Sequence, residues 1–277
     1  MRSRARSASP PSRSVAATSA PPGAEDRLEP WVYGSVLAAL VAAAWAGLGL
    51  AEAAGPGAWL SHSALGEAGA LSWPRLLGFS GAWTLMSVAM MLPSTFPLVR
   101  VFLTITGGSA GLLALLCAGY LGMWALFGAA ALLADAGLHQ AVEGWTWLAA
   151  RPERLPGALL LGAGLFQFSP LKYSCLRQCR SPVGFVIQHW RGTSRALRAL
   201  RVGVLHGVYC VGCCWVLMLL MFAVGGAHVG WMLALAAVMF VEKAVTWGRT
   251  VTAGIGLVLA SWGLGLLLGT PGVPRPF

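Results

Sequence analysis

Residues 202–225, VGVLHGVYCVGCCWVLMLLMFAVG, decide the fold class, because 24 consecutive positions carry no Asp, Glu, Lys or Arg. At about 1.5 Å per residue, a helix of this length covers the roughly 30 Å of hydrocarbon in a bilayer. The whole chain has the same character, since 57% of its 277 residues are hydrophobic and only 10% are charged. Soluble domains carry about 25% charged residues. The composition therefore excludes a soluble globular fold and predicts that this stretch crosses a membrane.

Six further apolar runs lie on either side of this stretch. Together they predict an all-α polytopic bundle of about seven transmembrane helices, with spans near residues 31–51, 76–99, 110–134, 155–171, 202–225, 229–247 and 251–269. The fourth run is the shortest. The second contains Pro93 and Pro97, which predict a bend. The spans make up one transmembrane domain, residues 31–270.

The two ends of the chain differ from this domain. Residues 1–30 interleave Arg with Ser, Ala and Pro and show no apolar periodicity, which predicts a disordered basic tail. Residues 271–277 form a short second tail. Because the apolar run 31–51 follows so long a polar segment, we interpret it as a retained span rather than a secretory signal.

The distribution of positive charge predicts the orientation. With the N-terminus inside and the C-terminus outside, 15 of the 19 Lys and Arg residues fall on the cytoplasmic side. The most basic segment, 172–201, is predicted to be a cytoplasmic loop that attracts anionic lipid headgroups. We therefore predict a multi-pass protein of the cell inner membrane, and we expect no nucleic-acid binding because topology accounts for the net charge of +10.

Five of the six cysteines fall in two groups. Three of them share one face of the fifth span with a histidine at the spacing i, i+4, i+7, i+8; these residues are His206, Cys210, Cys213 and Cys214. Cys175 and Cys179 lie one turn apart at the inner end of the fourth span. Thiols on the reducing side stay available to a soft metal. Thiolate with imidazole suits Zn(II), and thiolate with thioether suits Cu(I), so we predict a transition metal, Cu(I) ahead of Zn(II). The alternative is that these residues are small buried packing residues.

Other side chains are candidates to complete the site. Met86 and Met90 lie one turn apart at about the depth of Cys210, and Met91 supports them. Glu242 is expected to point inward toward Lys172 or His206, while the adjacent Lys243 extends to the interface.

Four stretches carry a resemblance to a known family. They are 83–94 (WTLMSVAMMLPS), 169–182 (SPLKYSCLRQCRSP), 206–218 (HGVYCVGCCWVLM), and 231–232 (WM) leading to 242–243 (EK). With these motifs the chain resembles the bacterial integral-membrane proteins described as predicted metal-binding membrane proteins. The resemblance implies that the metal-binding role falls on Cys175, Cys179, His206, Cys210, Cys213 and Cys214, with Met86, Met90, Lys172 and Glu242 in support.

These observations favour a protein that binds a soft transition metal in the cytoplasmic half of the bundle and works in its transport, delivery or homeostasis. Its partner would be a metal chaperone or a metalloenzyme being assembled; the sequence does not specify an oligomeric state. Two alternatives stay open: a membrane thiol oxidoreductase using the same cysteines, and a non-catalytic membrane assembly subunit. The chain has no phosphate-binding glycine loop, His-Glu-x-x-His or Gly-x-Ser-x-Gly. We therefore do not expect ATP-driven transport by this chain alone. Under the first hypothesis, we expect that the protein is not an enzyme.

Overall fold

The computed structural model describes residues 30–53, 73–143, 154–223, 228–245 and 247–274. Within these ranges the chain forms ten α-helices and one 3-10 turn and has no β-strand, which confirms the all-α prediction. The tail predicted over residues 1–30 lies outside the described residues, apart from Pro30, which begins the first helix.

The helices are numbered in chain order. Their bounds are α1 Pro30–Ala53, α2 Trp73–Met91, the 3-10 turn Leu92–Thr95, α3 Phe96–Thr106, α4 Ala110–Glu143, α5 Arg154–Phe166, α6 Pro170–Cys179, α7 Pro182–His189, α8 Arg195–Ala223, α9 Val229–Ala244 and α10 Gly248–Leu268.

Five segments of the described chain are long and apolar enough to cross a membrane. They are Trp31–Ala53, Leu76–Thr106, Ala110–Leu138, Arg195–Met221 and Gly248–Leu268. Each coincides with one of the seven predicted spans. The other two predicted spans contain α5, of 13 residues, and α9, of 16 residues, which are shorter than the roughly 20 residues of a full crossing. The count of seven and the inward N-terminus stay predictions.

The predicted fourth span, 155–171, is interrupted rather than continuous. Helix α5 ends at Phe166 and α6 begins at Pro170, whose missing N–H suits the first position of a helix. The Ser169 hydroxyl caps α6 by accepting a hydrogen bond from the Lys172 backbone N–H at 3.1 Å. The chain therefore turns where one straight helix was expected.

The segment 172–201, predicted to be a loop, is instead helical over most of its length. It comprises α6, α7 and the first turns of α8. Some of its positive charges are held in the fold, because Lys172 is buried and Arg195 donates a hydrogen bond to the Thr106 carbonyl at 3.0 Å. Arg180 donates to the Val245 carbonyl and so satisfies the C-terminal end of α9. Arg177 and Arg191 are exposed.

The bend predicted from Pro93 and Pro97 is present as the 3-10 turn between α2 and α3. Two hydroxyls bond to carbonyls at this turn: Ser94 donates to the Met91 carbonyl and Thr95 to the Leu92 carbonyl, each at 2.7 Å. Met91 is therefore the last residue of α2, and its side chain lies where the helix direction changes.

Two pairs of helices approach almost to backbone contact. Between α4 and α8, a Cβ added at Gly203 would lie 2.1 Å from the Leu116 carbonyl oxygen. Between α5 and α10, a Cβ at Gly164 would lie 2.4 Å from the Ala260 nitrogen. Such contacts are typical of helices packed through small residues. Helix α8 lies at the centre of the main core, with α2, α4, α6 and α9 around it.

Candidate metal-binding cluster

Helix α8 carries its cysteines and histidine on a buried face, as the spacing predicted. Cys210, Cys213 and Cys214 are at most 1% exposed and His206 is 3% exposed. All three thiols belong to the main core, which also includes residues of α2, α6 and α9. The site is therefore shielded from water on the α8 side, and its chemistry depends on the neighbouring helices.

Cys210 is the centre of this arrangement. Its Sγ lies 3.0 Å from Lys243 Nζ and 3.1 Å from the Tyr120 hydroxyl. Lys243 Nζ also contacts Ser94 Oγ at 3.2 Å and Met91 Sδ at 3.9 Å. The expectation that Lys243 extends to the interface was wrong, because α9 packs against α2 and α8 and directs this side chain into the core.

Cys214 joins the same group from the next turn of α8. Its Sγ lies 3.8 Å from Met91 Sδ and donates to the Cys210 carbonyl at 2.9 Å. We call Met91, Cys210 and Cys214 the sulfur cluster. Met91, which sequence analysis treated only as support, is thus the thioether next to the thiols. Met86 and Met90 are buried in the same core, but within the described chain no such contact joins their sulfur atoms to the cysteines.

The remaining thiols form a second group between α6 and α8. The Cys179 and Cys213 side chains are close neighbours, and Cys213 donates to the Cys210 carbonyl at 3.1 Å. Cys175 Sγ lies so close to Gly212 that a Cβ there would be 2.7 Å from it. Burial raises the pKa of the Cys175 thiol, and the Cys213 thiol raises it further. The two cysteine motifs therefore lie against each other, and their joint role in metal binding stays a prediction.

Glu242 and Lys172 form a buried ion pair on the other side of α9. Glu242 Oε2 accepts from Lys172 Nζ at 2.8 Å, with side-chain exposures of 3% and 0%. The predicted inward direction of Glu242 and one of its two predicted partners are confirmed. Thr252 of α10 lies close to the same carboxylate. Glu242 is thus occupied by an ammonium and lies outside the sulfur cluster.

His206 is held by aromatic rings. Its imidazole stacks on Tyr120 with ring centres 5.5 Å apart and meets the edge of Phe185 at 5.5 Å. Its Nδ1 has no hydrogen-bond partner in the described part of the protein. Within the described ranges no three His, Cys, Asp or Glu side chains converge as ligands for one metal ion. The soft donors that do converge are two thiols and a thioether, with an ammonium against them.

Sequence analysis missed Tyr120 and misdirected Lys243. Tyr120 is a hydroxyl within an apolar span, and its burial requires a polar partner, which Cys210 supplies. A lysine within an apolar run is a comparable signal.

The helices and the buried side chains together define a class: within the described ranges, an all-helical protein with five span-length apolar helices and a core containing thiols, thioethers and two ammonium groups. The chain belongs to the PpoB2 family, whose description is copper chaperone and whose family model matches residues 80–266. The match covers more than half of the chain and includes every residue described above, from Met91 to Lys243 and Thr252. It confirms the predicted metal-related family. No curated protein and no solved structure matches the chain.

Proposed function

We propose that this protein is a multi-pass membrane protein that binds Cu(I) as its cargo at the sulfur cluster and passes it to an acceptor. The observation that carries the proposal is the approach of two thiols and one thioether from different helices, with Cys214 Sγ 3.8 Å from Met91 Sδ and both Cys210 Sγ and Met91 Sδ in contact with Lys243 Nζ. The copper chaperone description of the family supports the choice of cargo.

The donor set favours Cu(I) over Zn(II). Thiolate and thioether sulfur are both soft ligands suited to Cu(I), whereas the ligands of zinc are thiolate, imidazole and carboxylate. The nearest carboxylate, Glu242, is engaged by Lys172 at 2.8 Å, and His206 is packed between aromatic rings. The residues at the cluster therefore fit a monovalent soft ion.

The second thiol group offers a route to the cluster. Cys175 and Cys179 of α6 lie against Cys213 and Gly212, and Cys213 is followed on α8 by Cys214. Neighbouring thiols allow a copper ion to exchange one ligand at a time, so it need not be released into the apolar core. In this proposal Cys175, Cys179 and Cys213 receive or release the ion, and Met91, Cys210 and Cys214 hold it.

The membrane setting is part of the proposal. The span-length helices of the described chain support a bilayer location, and the positive-inside count supports a cytoplasmic position for the α6 cysteines at an inner membrane. Exposed arginines such as Arg177, Arg191 and Arg201 are available to anionic headgroups. The exchange partner would be a cytosolic copper donor or a metalloenzyme that receives the ion.

Elemental analysis tests the proposal. The full chain is purified in detergent under reducing conditions after expression with copper and zinc both supplied, beside a triple variant, Cys210→Ser/Cys213→Ser/Cys214→Ser, and a control, Cys117→Ser. Cys117 is on α4, outside both thiol groups. We expect about one copper per chain in the wild type and the control, and loss of most of it in the triple variant.

Three outcomes would contradict the proposal. Unchanged copper in the triple variant would remove the cluster from the binding site, and zinc in place of copper would reassign the ion. A metal-free wild type whose cysteine alkylation changes with redox state would favour the thiol oxidoreductase instead.

A further inference from the structure

The ammonium of Lys243 lies where the proposed cargo would bind. We propose that Lys243 acts as an internal competitor of Cu(I): its ammonium occupies the sulfur cluster in the metal-free protein, leaves when Cu(I) binds, and promotes release when it returns. The inference rests on the proposed function, because it concerns the regulation of that same site.

The partners of Lys243 are unusual for a buried cation. The residue is 8% exposed, and within the described residues no carboxylate lies within 4.0 Å of its Nζ, in contrast to Lys172. The contacts of Nζ are with Cys210 Sγ, Ser94 Oγ and Met91 Sδ. Lys243 therefore lacks the carboxylate partner that holds Lys172 in place, and its ammonium depends on sulfur and hydroxyl contacts.

The distances make the two cations mutually exclusive. Lys243 Nζ is 3.0 Å from Cys210 Sγ. Zinc–thiolate bonds are about 2.3 Å long, and a Cu(I) ion bonded to Cys210 at a similar distance, on the side facing Met91, would overlap the ammonium. Both species carry one positive charge, and each thiol that binds Cu(I) also loses a proton, so the net charge of the site falls by one for each copper–thiolate bond formed.

The Lys243 side chain lies close to solvent at the end of α9. It is the last residue but one of α9, and Ala244, which follows it, is exposed. Four methylene groups allow a lysine to withdraw along a helix end and carry its ammonium to water. Each thiol that forms a Cu–S bond gives up its proton to solvent, the ammonium keeps its protons, and copper stays Cu(I) throughout.

The competition lowers the apparent affinity for copper. When only a fraction of molecules has the binding-competent arrangement, the apparent Kd equals the intrinsic Kd divided by that fraction. If the ammonium is withdrawn in about one molecule in ten, its removal tightens binding about tenfold. A protein that delivers copper benefits from this weakening, because the returning ammonium takes up the vacated sulfur contacts.

The first test measures Cu(I) affinity and release on the purified full chain in detergent, anaerobically, with the chromophoric chelator bicinchoninate as competitor. We expect Lys243→Ala to bind Cu(I) about tenfold more tightly than the wild type and to release it more slowly. Lys243→Arg, which keeps a cation at the site, should not tighten binding. A Lys243→Ala variant that binds no more tightly than the wild type would overturn the inference and leave the proposed function intact. A wild type that binds no Cu(I) would contradict the proposed function itself.

The second test needs no variant, because Lys172 and Lys243 are the only two lysines in the chain. Wild-type protein, with and without Cu(I), is treated with an amine-acylating reagent, and labelling at each lysine is read by mass spectrometry. We expect Cu(I) to raise the labelling of Lys243 severalfold. Lys172 is an internal control whose labelling should not change, because its ion pair with Glu242 lies outside the cluster. Unchanged labelling of Lys243 in copper-loaded protein would overturn the inference.

Discussion

The two lysines define two regions on either side of the end of α9. In the Lys172 region the ammonium faces the Glu242 carboxylate at 2.8 Å, with Thr252 and α10 behind it. In the Lys243 region the ammonium faces Cys210, Met91 and Ser94, and no carboxylate of the described chain pairs with it. Both side chains are buried, and both belong to the same packed core.

The two regions differ in whether the buried ammonium has a carboxylate counter-ion. A buried charge with a buried counter-ion is expensive to separate, so the Lys172 region is expected to hold α6 and α9 in fixed positions. A buried charge held by sulfur and hydroxyl groups is replaceable by another cation that binds those groups better. Glu242 thus makes a structural contact, with Lys172, and the adjacent Lys243 makes an exchangeable one, with the sulfur cluster.

Breaking the Lys172 region should have the largest effect. Glu242→Gln leaves the Lys172 ammonium buried without a counter-ion, which typically costs about 3–5 kcal/mol. Thermal unfolding of the purified protein should show this loss, and the double variant Lys172→Met/Glu242→Gln should recover most of it. A single variant as stable as the wild type would show that Lys172 has another counter-ion.

The close contact between α5 and α10 provides the next test. In Gly164→Ala the new Cβ would meet the Ala260 backbone at 2.4 Å, so α5 and α10 must separate, at a cost of about 1–3 kcal/mol. Gly162→Ala on the same helix is the matched control, because no atom lies within 4 Å of its Cβ. The thermal stability should fall only in Gly164→Ala. The Cu(I) affinity per folded molecule should be unchanged in both variants. A change in affinity would mean that the two regions are coupled.

A substitution in the Lys243 region should affect binding more than stability. Met91→Leu keeps the volume but removes the thioether, so we expect Cu(I) affinity to fall about tenfold, or about 1.4 kcal/mol. Unfolding should change by less than about 1.5 kcal/mol. Chelator competition measures the affinity, with Met86→Leu as control. Equal losses in both variants would indicate a general packing effect.

The smallest effect is expected at Gln167, the fully buried residue at the turn between α5 and α6. Neither side-chain amide atom has a hydrogen-bond partner within the described residues. Replacing an unsatisfied buried amide with an apolar side chain removes a desolvation cost, so Gln167→Leu should change stability by no more than about 1 kcal/mol, and in the stabilising direction. A loss of more than about 2 kcal/mol in thermal unfolding would mean that the amide has a partner in the native protein.

The long elements and the composition of the core were accessible from sequence. The uninterrupted apolar run identified α8, its helical period placed the cysteines on one face, and the carboxylate within an apolar run led from Glu242 to Lys172. These predictions depend on local periodicity and on the cost of burying charge, and both can be read from the sequence.

The parts that could not be predicted depend on how helices end and pack. Met86, Met90 and Met91 lie on one helix, and only the packing of α2 against α8 shows that the thioether at the thiols is Met91. Pro170 indicates a helix start after the turn at Gln167–Ser169, but the apolar run around it favoured one continuous helix. Lys243 was assigned to the interface because a lysine usually extends to water, and only the packing of α9 shows otherwise.

The Glu242–Lys172 pair also bears on how the chain is inserted during synthesis. Charged side chains are the most costly residues for a helix to carry into a bilayer, and α9, with only 16 residues and an adjacent Glu-Lys in its last turn, is a poor candidate for entering a bilayer alone. Lys172 precedes Glu242 by 70 residues, so the neutralising ammonium has already been synthesised when α9 leaves the ribosome. Helix α9 is thus expected to enter the membrane against a preassembled surface of earlier helices, and its insertion depends on a residue far upstream.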